Sequence, residues 1–150
     1  MELELKNGSE KCTLDDKGRV LIPSEFREHF QGDLVITWGM ERCAWIMTPP
    51  GWERFEQVLR NSETLTQEER LVLEDKYLNQ AKVVKLKDGR LAIPPTIRSY
   101  ANLTKDCMAV RTKNRLAIWD KPTYDAYLAE KDPLSRVAMN KLPKDVFGDG

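Results

Sequence analysis

Two arginines, Arg19 and Arg90, each follow a glycine and stand at the start of a short apolar run. An arginine guanidinium is planar and permanently charged, and its fork of N–H donors matches the oxygens of a phosphate or the acceptors on a guanine edge. A glycine before it permits a tight turn, which places the side chain at the rim of a sheet. The pattern therefore predicts anion recognition by side chains at turns.

The surroundings of these two arginines are repeated. Residues 17–23 are Lys-Gly-Arg-Val-Leu-Ile-Pro, residues 88–94 are Asp-Gly-Arg-Leu-Ala-Ile-Pro, and the offset between the copies is 71. Arg27 and Arg98 each follow the proline of their copy. A repeat of this length indicates an internal duplication. We expect two halves related by a pseudo-twofold axis, each presenting the same turn.

Local charge distinguishes the two copies. Residues 82–98 hold five bases and one acid, whereas residues 11–27 hold four bases and three acids, in a chain with a formal net charge of zero. Asp15 lies four residues before Arg19 and could brace its guanidinium across the turn. Arg27 and Arg98, on predicted helices, are expected to form structural ion pairs. Charge alone leaves DNA binding and structural pairing as equal alternatives for Arg19 and Arg90.

Catalytic and metal-binding patterns are absent from the sequence. The single histidine, His29, cannot form a metal cluster by itself, and no nucleophile elbow, P-loop or dinucleotide-binding glycine pattern occurs. Cys12, Cys43 and Cys107 are isolated, which predicts reduced, buried thiols and no disulfide framework. We therefore expect no catalytic residue, no metal and no cofactor. The start of the chain has no apolar leader, so we expect a cytoplasmic protein without a membrane partner.

Each copy predicts the same elements: strand, turn, strand, helix, hairpin and helix. At 150 residues the two copies are expected to share one core. We place the first repeat at 9–55, linker helices at 56–79, the second repeat at 80–127, and a helix end with a flexible tail at 128–150. Thr66 and Glu69 form a predicted capping box in the linker. Residues 53–76 hold seven acids and four bases, which fits a solvated face or a subunit contact.

Residues 15–27, repeated at 89–98, resemble the MraZ family of bacterial proteins, which carries two SpoVT-AbrB-type domains in one chain. The resemblance covers about residues 9 to 130. It implies an α+β fold in which two swapped-hairpin half-barrels form one pseudo-twofold β-barrel with flanking helices. It also implies a nucleoid-associated transcriptional regulator that acts as a repressor. Such a protein would bind direct repeats in double-stranded DNA upstream of the division and cell-wall gene cluster, as a ring-shaped homo-oligomer.

The family's Asp-x-x-x-Arg signature falls on Asp15 and Arg19. In the second copy Leu86 stands at the aspartate position, so either Asp88 braces Arg90 or the second loop contacts DNA differently. The DNA-contacting residues that the resemblance implies are Asp15, Lys17, Arg19, Lys85, Lys87 and Arg90. The alternatives are an AbrB-like protein-interaction oligomer and a regulator of unrelated genes. The operator sequence, ring size and sign of regulation stay open.

Overall fold

Antiparallel strands dominate the structure, a computed structural model that describes residues 3–148. The strands are β1 (Asn7–Thr13), β2 (Arg19–Leu21), β3 (Asp33–Trp38), β4 (Ala44–Met47), β5 (Lys82–Lys85), β6 (Arg90–Ala92), β7 (Asp106–Thr112) and β8 (Arg115–Asp120). The α-helices are α1 (Ser24–Arg27), α2 (Pro49–Asn61), α3 (Gln67–Leu73), α4 (Pro95–Ala101) and α5 (Lys121–Met139). A 3₁₀ turn precedes β4 at Met40–Arg42, and a π-helical turn follows α3 at Glu74–Leu78.

Six strands form one antiparallel sheet in the order β1-β7-β8-β4-β3-β5, and β2 pairs with β6 in a separate ribbon. The first copy contains β1–β4 and the second contains β5–β8. The first strand of each copy pairs with the third strand of the other, β1 with β7 and β5 with β3, so exchanging the two copies leaves the order unchanged. The predicted α+β class is therefore confirmed. The predicted single β-barrel is not, since the main sheet stays open, with β1 and β5 at its two edges.

Both copies contribute to a single main core. Val20 and Leu91, which are equivalent in the two copies, are fully buried, and so are their neighbours Ile22 and Ile93. Side chains alternate between the faces of a strand, so every second residue of β2 and β6 points into this core. The prediction of one core shared by the two halves is confirmed.

A helical hairpin, α2–α3, joins the copies. The guanidinium of Arg70 donates to the carbonyls of Leu59 and Ser62, both at 2.9 Å, and so caps the last turn of α2. The Thr66 hydroxyl accepts from the Glu69 amide at 3.1 Å, while the Glu69 carboxylate accepts from the Thr66 amide at 2.8 Å. The predicted capping box is confirmed, and it fixes where α3 begins.

Two helices differ in length from the sequence pattern. α1 has only four residues, and Phe30 is buried beyond its end. α5 continues through Pro133 to Met139, although little apolar periodicity is present there. Its second half is exposed, so no packing imposes a periodicity on it. Residues 149 and 150 of the predicted flexible tail lie outside the described residues. No helix within 3–148 has the length and apolar character that a membrane span requires.

Candidate nucleic-acid interface

The first glycine turn is a three-residue loop between Asp15 and Arg19. The amide of Asp15 donates to the Arg19 carbonyl at 2.8 Å, and the Gly18 amide donates back to the Asp15 carbonyl at 3.0 Å. Gly18 has φ +77°, a left-handed conformation that a three-residue hairpin loop requires and that glycine adopts without strain. Lys17 stands exposed at the tip of this loop.

Asp15 organises this loop from inside. One carboxylate oxygen accepts from the amides of Lys17 and Arg19, both at 2.9 Å. The other accepts from Nε of the Arg19 side chain at 2.9 Å. Hydrogen bonds hold the pKa of Asp15 below its usual range. The bond from the Arg19 backbone amide has the largest effect, and those from the Arg19 side chain and the Lys17 amide add to it. The predicted brace is confirmed, and because it uses only Nε, both Nη groups of Arg19 remain available to a ligand.

The second glycine turn is one residue shorter. The amide of Lys87 donates to the Arg90 carbonyl at 2.9 Å, and the amide of Arg90 donates to the Lys87 carbonyl at 2.8 Å. Asp88 and Gly89 have φ of +51° and +76°, as a two-residue type I′ turn requires. Lys87 therefore occupies the closing position that Asp15 holds in the first turn. The Asp-Gly pair was the sequence signal for this shorter loop.

The shorter second loop decides whether Asp88 braces Arg90. Asp88 lies at the loop tip, and within residues 3–148 no hydrogen bond or ion pair joins it to Arg90. The closing partner of Arg90 is a lysine, so the second turn presents two exposed cations where the first presents an acid–arginine pair. The alternative in which the second loop differs from the first is the one that this geometry favours.

The β2–β6 ribbon places both arginines on one surface. Arg19 lies opposite Ala92, Val20 opposite Leu91, and Leu21 opposite Arg90. Because opposed residues of an antiparallel pair point to the same side, the buried middle pair faces the core and the two outer pairs face away from it. Arg90 and Leu21 are exposed and Arg19 is half-buried. Strand geometry sets the two arginine Cα atoms about 8 Å apart.

Lys85 lies apart from the ribbon. It ends β5 at an edge of the main sheet, opposite Asp33, and its Nζ is 3.7 Å from a carboxylate oxygen of that residue. Both side chains are exposed, and surface ion pairs of this kind contribute little to stability. Five of the six predicted residues therefore lie in the turns and the ribbon, whereas Lys85 lies in the main sheet.

Arg27 and Arg98 hold the turns in place, but they do so without the ion pairs that the sequence predicted. Within residues 3–148 neither has a carboxylate partner. A Cβ at Gly18 would lie 2.5 Å from Arg98, and a Cβ at Gly89 would lie 2.7 Å from Arg27, so each guanidinium packs against the other copy's turn. Only glycine allows this close approach. Arg27 also donates from Nε to the Ile22 carbonyl at 2.7 Å.

The cysteines and His29 are the other side chains whose chemistry the sequence raises. The three cysteines are free and buried, and burial raises the pKa of Cys12 and Cys43 to about 12 and that of Cys107 to about 11. They are therefore protonated near neutral pH and poor nucleophiles. His29 is exposed, with Nε2 3.8 Å from the Glu4 carboxylate. Across residues 3–148 no three histidine, cysteine or acidic side chains converge as metal ligands would.

Comparison with known proteins identifies the family. The model of the MraZ protein family matches residues 6–75 and 78–142. The chain belongs to the MraZ family. The transcriptional regulator MraZ of Parafrankia sp. (strain EAN1pec) is 35% identical over 125 residues, or 83% of this chain and 87% of that protein. The corresponding protein of Thermobifida fusca (strain YX) is 33% identical over 91% of this chain and 96% of its own length. That of Treponema denticola is also 33% identical, over 84% of this chain and 89% of its own length.

The two stretches matched by the MraZ model contain one glycine turn each, so the duplication seen in the sequence is a property of the family's own pattern. The similar proteins are named transcriptional regulators and not enzymes. The predicted family and the prediction that this chain is not an enzyme are both confirmed by these comparisons.

Proposed function

We propose that this MraZ-family chain is a transcriptional regulator that binds double-stranded DNA through the β2–β6 ribbon. The observation that supports this most strongly is the register of the ribbon, which places Arg19 and Arg90 diagonally across from each other on the face turned away from the core. The major groove of B-DNA admits a two-stranded β-ribbon, and arginine is the commonest side chain that recognises guanine there. The names of the similar proteins agree with a role in transcription.

Different residues of the two turns would contact the bases and the phosphates of the DNA. Asp15 holds Arg19 by Nε and leaves its two Nη groups to reach O6 and N7 of one guanine. Arg90 is exposed and has no acidic partner in the described chain, so it can contact a base edge or a phosphate. Lys17 and Lys87 at the turns, and Lys85 beside them, would contact phosphates, which position the protein on the duplex without reading sequence.

Affinity would come from assembly into a ring. One ribbon with two arginines supplies few contacts, and the chain has no net charge to attract DNA as a whole. Linked protomers that bind successive direct repeats gain affinity through effective concentration. The α2–α3 hairpin exposes Val58, Leu71 and Val72 beside its acidic residues. We assign this hairpin to contacts between protomers, since its acids would repel phosphate.

The finer features of the family would complete this function. We infer that the two copies act as swapped-hairpin half-barrels related by a pseudo-twofold axis. The unchanged strand order on exchanging the copies supports this inference. The targets would be direct repeats upstream of the division and cell-wall gene cluster, where a bound ring on the nucleoid would repress transcription.

A mobility-shift titration tests this function. The promoter region upstream of the protein's own gene is compared with a scrambled duplex of equal length over a salt series. We expect preferential binding to the promoter duplex, with log K falling by about 0.9 per phosphate contact for each unit of log salt. Equal binding to both duplexes would instead favour the protein-interaction oligomer. A preference for repeats elsewhere in the genome would favour a regulator of unrelated genes.

A further inference from the structure

A second basic surface lies away from the ribbon, in a pocket of about 430 Å³ between α2 and the β7–β8 hairpin. Four of its lining residues are basic: His29, Arg54, Arg111 and Lys113. None of the six residues assigned to DNA contact lines it. The buried ring of Phe30 closes one side. The pocket therefore concentrates positive charge at a site that DNA binding leaves unused.

Arg111 is the residue that makes this pocket unusual. It follows Cys107 and Ala109 at alternate positions of β7, so it points to the same side of the strand as these buried residues. It is only 7% exposed. Its Nε donates to the Lys113 carbonyl at 3.2 Å, and its guanidinium carbon lies 5.9 Å from the centre of the Phe30 ring.

No acid neutralises this buried charge within residues 3–148. Neither an ion pair nor a hydrogen bond from an Nη group of Arg111 is present in this part of the chain. The side chain is largely buried, but its Nη atoms are not among the fully buried polar atoms and are open to the pocket. A methionine would fill this position without the cost of desolvating most of a charged side chain. A buried group that breaks the local pattern in this way is typical of a functional site. The charge points to an anion supplied from outside the protomer.

The cations near Arg111 add to the positive charge of the pocket. Arg54 and Lys113 are exposed and have no ion pair in the described chain. The Glu4 carboxylate lies 3.8 Å from His29 and 3.7 Å from Lys6. The pocket also meets the start of the thirteen-residue helix α2, whose dipole is positive at that end. The first two helical residues are prolines, and the Gly51 amide already donates to Thr48 at 3.3 Å. Side chains would thus make the contacts.

We propose that this pocket binds a small phosphorylated compound. Its volume lies in the usual range of small-molecule sites, and two guanidinium forks with an ammonium group match the several oxygens of a phosphoryl group. A phosphate of a DNA duplex reaches exposed cations, whereas Arg111 is recessed. The proposal does not rest on DNA binding: an Arg19→Ala variant should bind such a ligand as the unaltered protein does.

The test is calorimetric titration of the full chain with inorganic pyrophosphate. We expect binding that weakens by about tenfold to a hundredfold in Arg111→Met, the loss expected for one hydrogen-bonded charge. Arg60→Met, which alters an exposed arginine of α2 outside the pocket, is the matched control and should bind normally. In the absence of pyrophosphate, Arg111→Met should unfold at the same temperature as the unaltered chain or higher.

Each of the following results would overturn the proposal. Unchanged pyrophosphate binding in Arg111→Met would show that the pocket is not the site. Displacement of pyrophosphate by a nonspecific duplex, with the same dependence on Arg111, would assign the pocket to DNA. A change in oligomer mass in Arg111→Met, measured by light scattering, would assign it to an acidic group of a second copy. If Arg111→Met does not fold, Arg54→Gln, which alters an exposed pocket residue, must weaken pyrophosphate binding, or the proposal fails.

Discussion

Asp15 fixes the direction of the Arg19 side chain, and within residues 3–148 neither Nη group of that side chain has a hydrogen-bond partner. Three hydrogen bonds converge on its carboxylate, two from backbone amides and one from Nε of Arg19. A guanidinium held in this way loses less conformational freedom on binding than a free one, so in the proposed complex the pairing would favour affinity. In the second turn Lys87 provides no such restraint for Arg90.

Asp15→Asn should weaken binding to the promoter duplex by about tenfold, the equivalent of one charge-assisted hydrogen bond. Asparagine can still accept from the two amides but no longer holds the Arg19 guanidinium by charge. Binding is measured by fluorescence anisotropy at fixed salt. The matched control is Asp16→Asn, which removes the same charge one residue away and should leave binding unchanged or slightly tighter. Equal effects of the two substitutions would refute the positioning role.

Residue identities located both turns, but the constant spacing hid the difference in their loop lengths. The constant offset of 71 aligns Asp15 with Leu86, and this alignment made the second signature look incomplete. The structure shows that a loop one residue shorter puts Lys87 at the closing position. Arg111 was missed for a related reason: its burial depends on the strand period set by Cys107 and Ala109, which only the pairing of β7 reveals.

Among the elements, the two turns depend on each other's copy. Arg98 packs on Gly18 and Arg27 on Gly89, while the Ile93 amide donates to the Gly18 carbonyl at 2.9 Å. The second half of the repeated motif therefore supports the first. This explains why the glycines and the arginines after the prolines recur with one spacing.

Gly18→Ala should destabilise the chain more than Gly32→Ala. Both positions have positive φ, which costs alanine about 1–2 kcal/mol. Gly32 has no atom within 4 Å of its added Cβ, whereas Gly18 meets the Arg98 guanidinium at 2.5 Å. We expect a further loss of about 1–3 kcal/mol at Gly18, measured by urea unfolding. The extra loss should shrink when Arg98→Ala is combined with it; an undiminished loss would argue against this contact.

Asp120 connects β8 to α5 and should make stability depend on pH. Burial alone would raise its pKa, but hydrogen bonds from the hydroxyls and amides of Thr104 and Thr123 outweigh that effect and lower it. A lowered folded-state pKa stabilises the fold above the unfolded value of about 3.9, and this stability is lost as pH falls through the folded value. Asp120 is also the N-cap of α5.

Asp120→Ala should therefore lower the free energy of unfolding by about 1–2 kcal/mol near pH 7. The difference between the variant and the unaltered chain should shrink as the pH falls below about 3.9. Thermal unfolding at several pH values measures this difference. Asp125→Ala, which alters an exposed residue on the same helix, is the control. A difference that stays constant from pH 7 to acid would contradict the role of the ionised carboxylate.

At the scale of the whole molecule, the copies exchange strands and share a core, so neither half is expected to fold alone. The sequence predicted this from the repeat and from the size of the chain. It did not predict the open main sheet, because the order of its strands depends on long-range pairing that local patterns do not set. It also did not predict the length of α5, whose exposed second half has no packing partner in the described chain.

Val72→Lys should reduce the oligomer mass measured by light scattering. Val72 is 56% exposed on α3, and a charge there would be buried without a partner in the proposed contact between protomers. Val137→Lys, at a residue 55% exposed on α5, is the matched control and should leave the mass unchanged. If both variants retain the mass of the unaltered protein, α2–α3 is not the subunit contact.

In the function that we propose, the β2–β6 ribbon is the surface that reads DNA. The most direct measurement compares Arg19→Ala, Arg90→Ala and the exposed control Arg136→Ala, on α5, on the promoter duplex and its scrambled counterpart, with oligomer mass checked in parallel. We predict that Arg19→Ala abolishes the preference for the promoter, that Arg90→Ala weakens binding, and that all three variants keep the oligomer. Retained sequence preference in the Arg19→Ala, Arg90→Ala double variant would contradict the account.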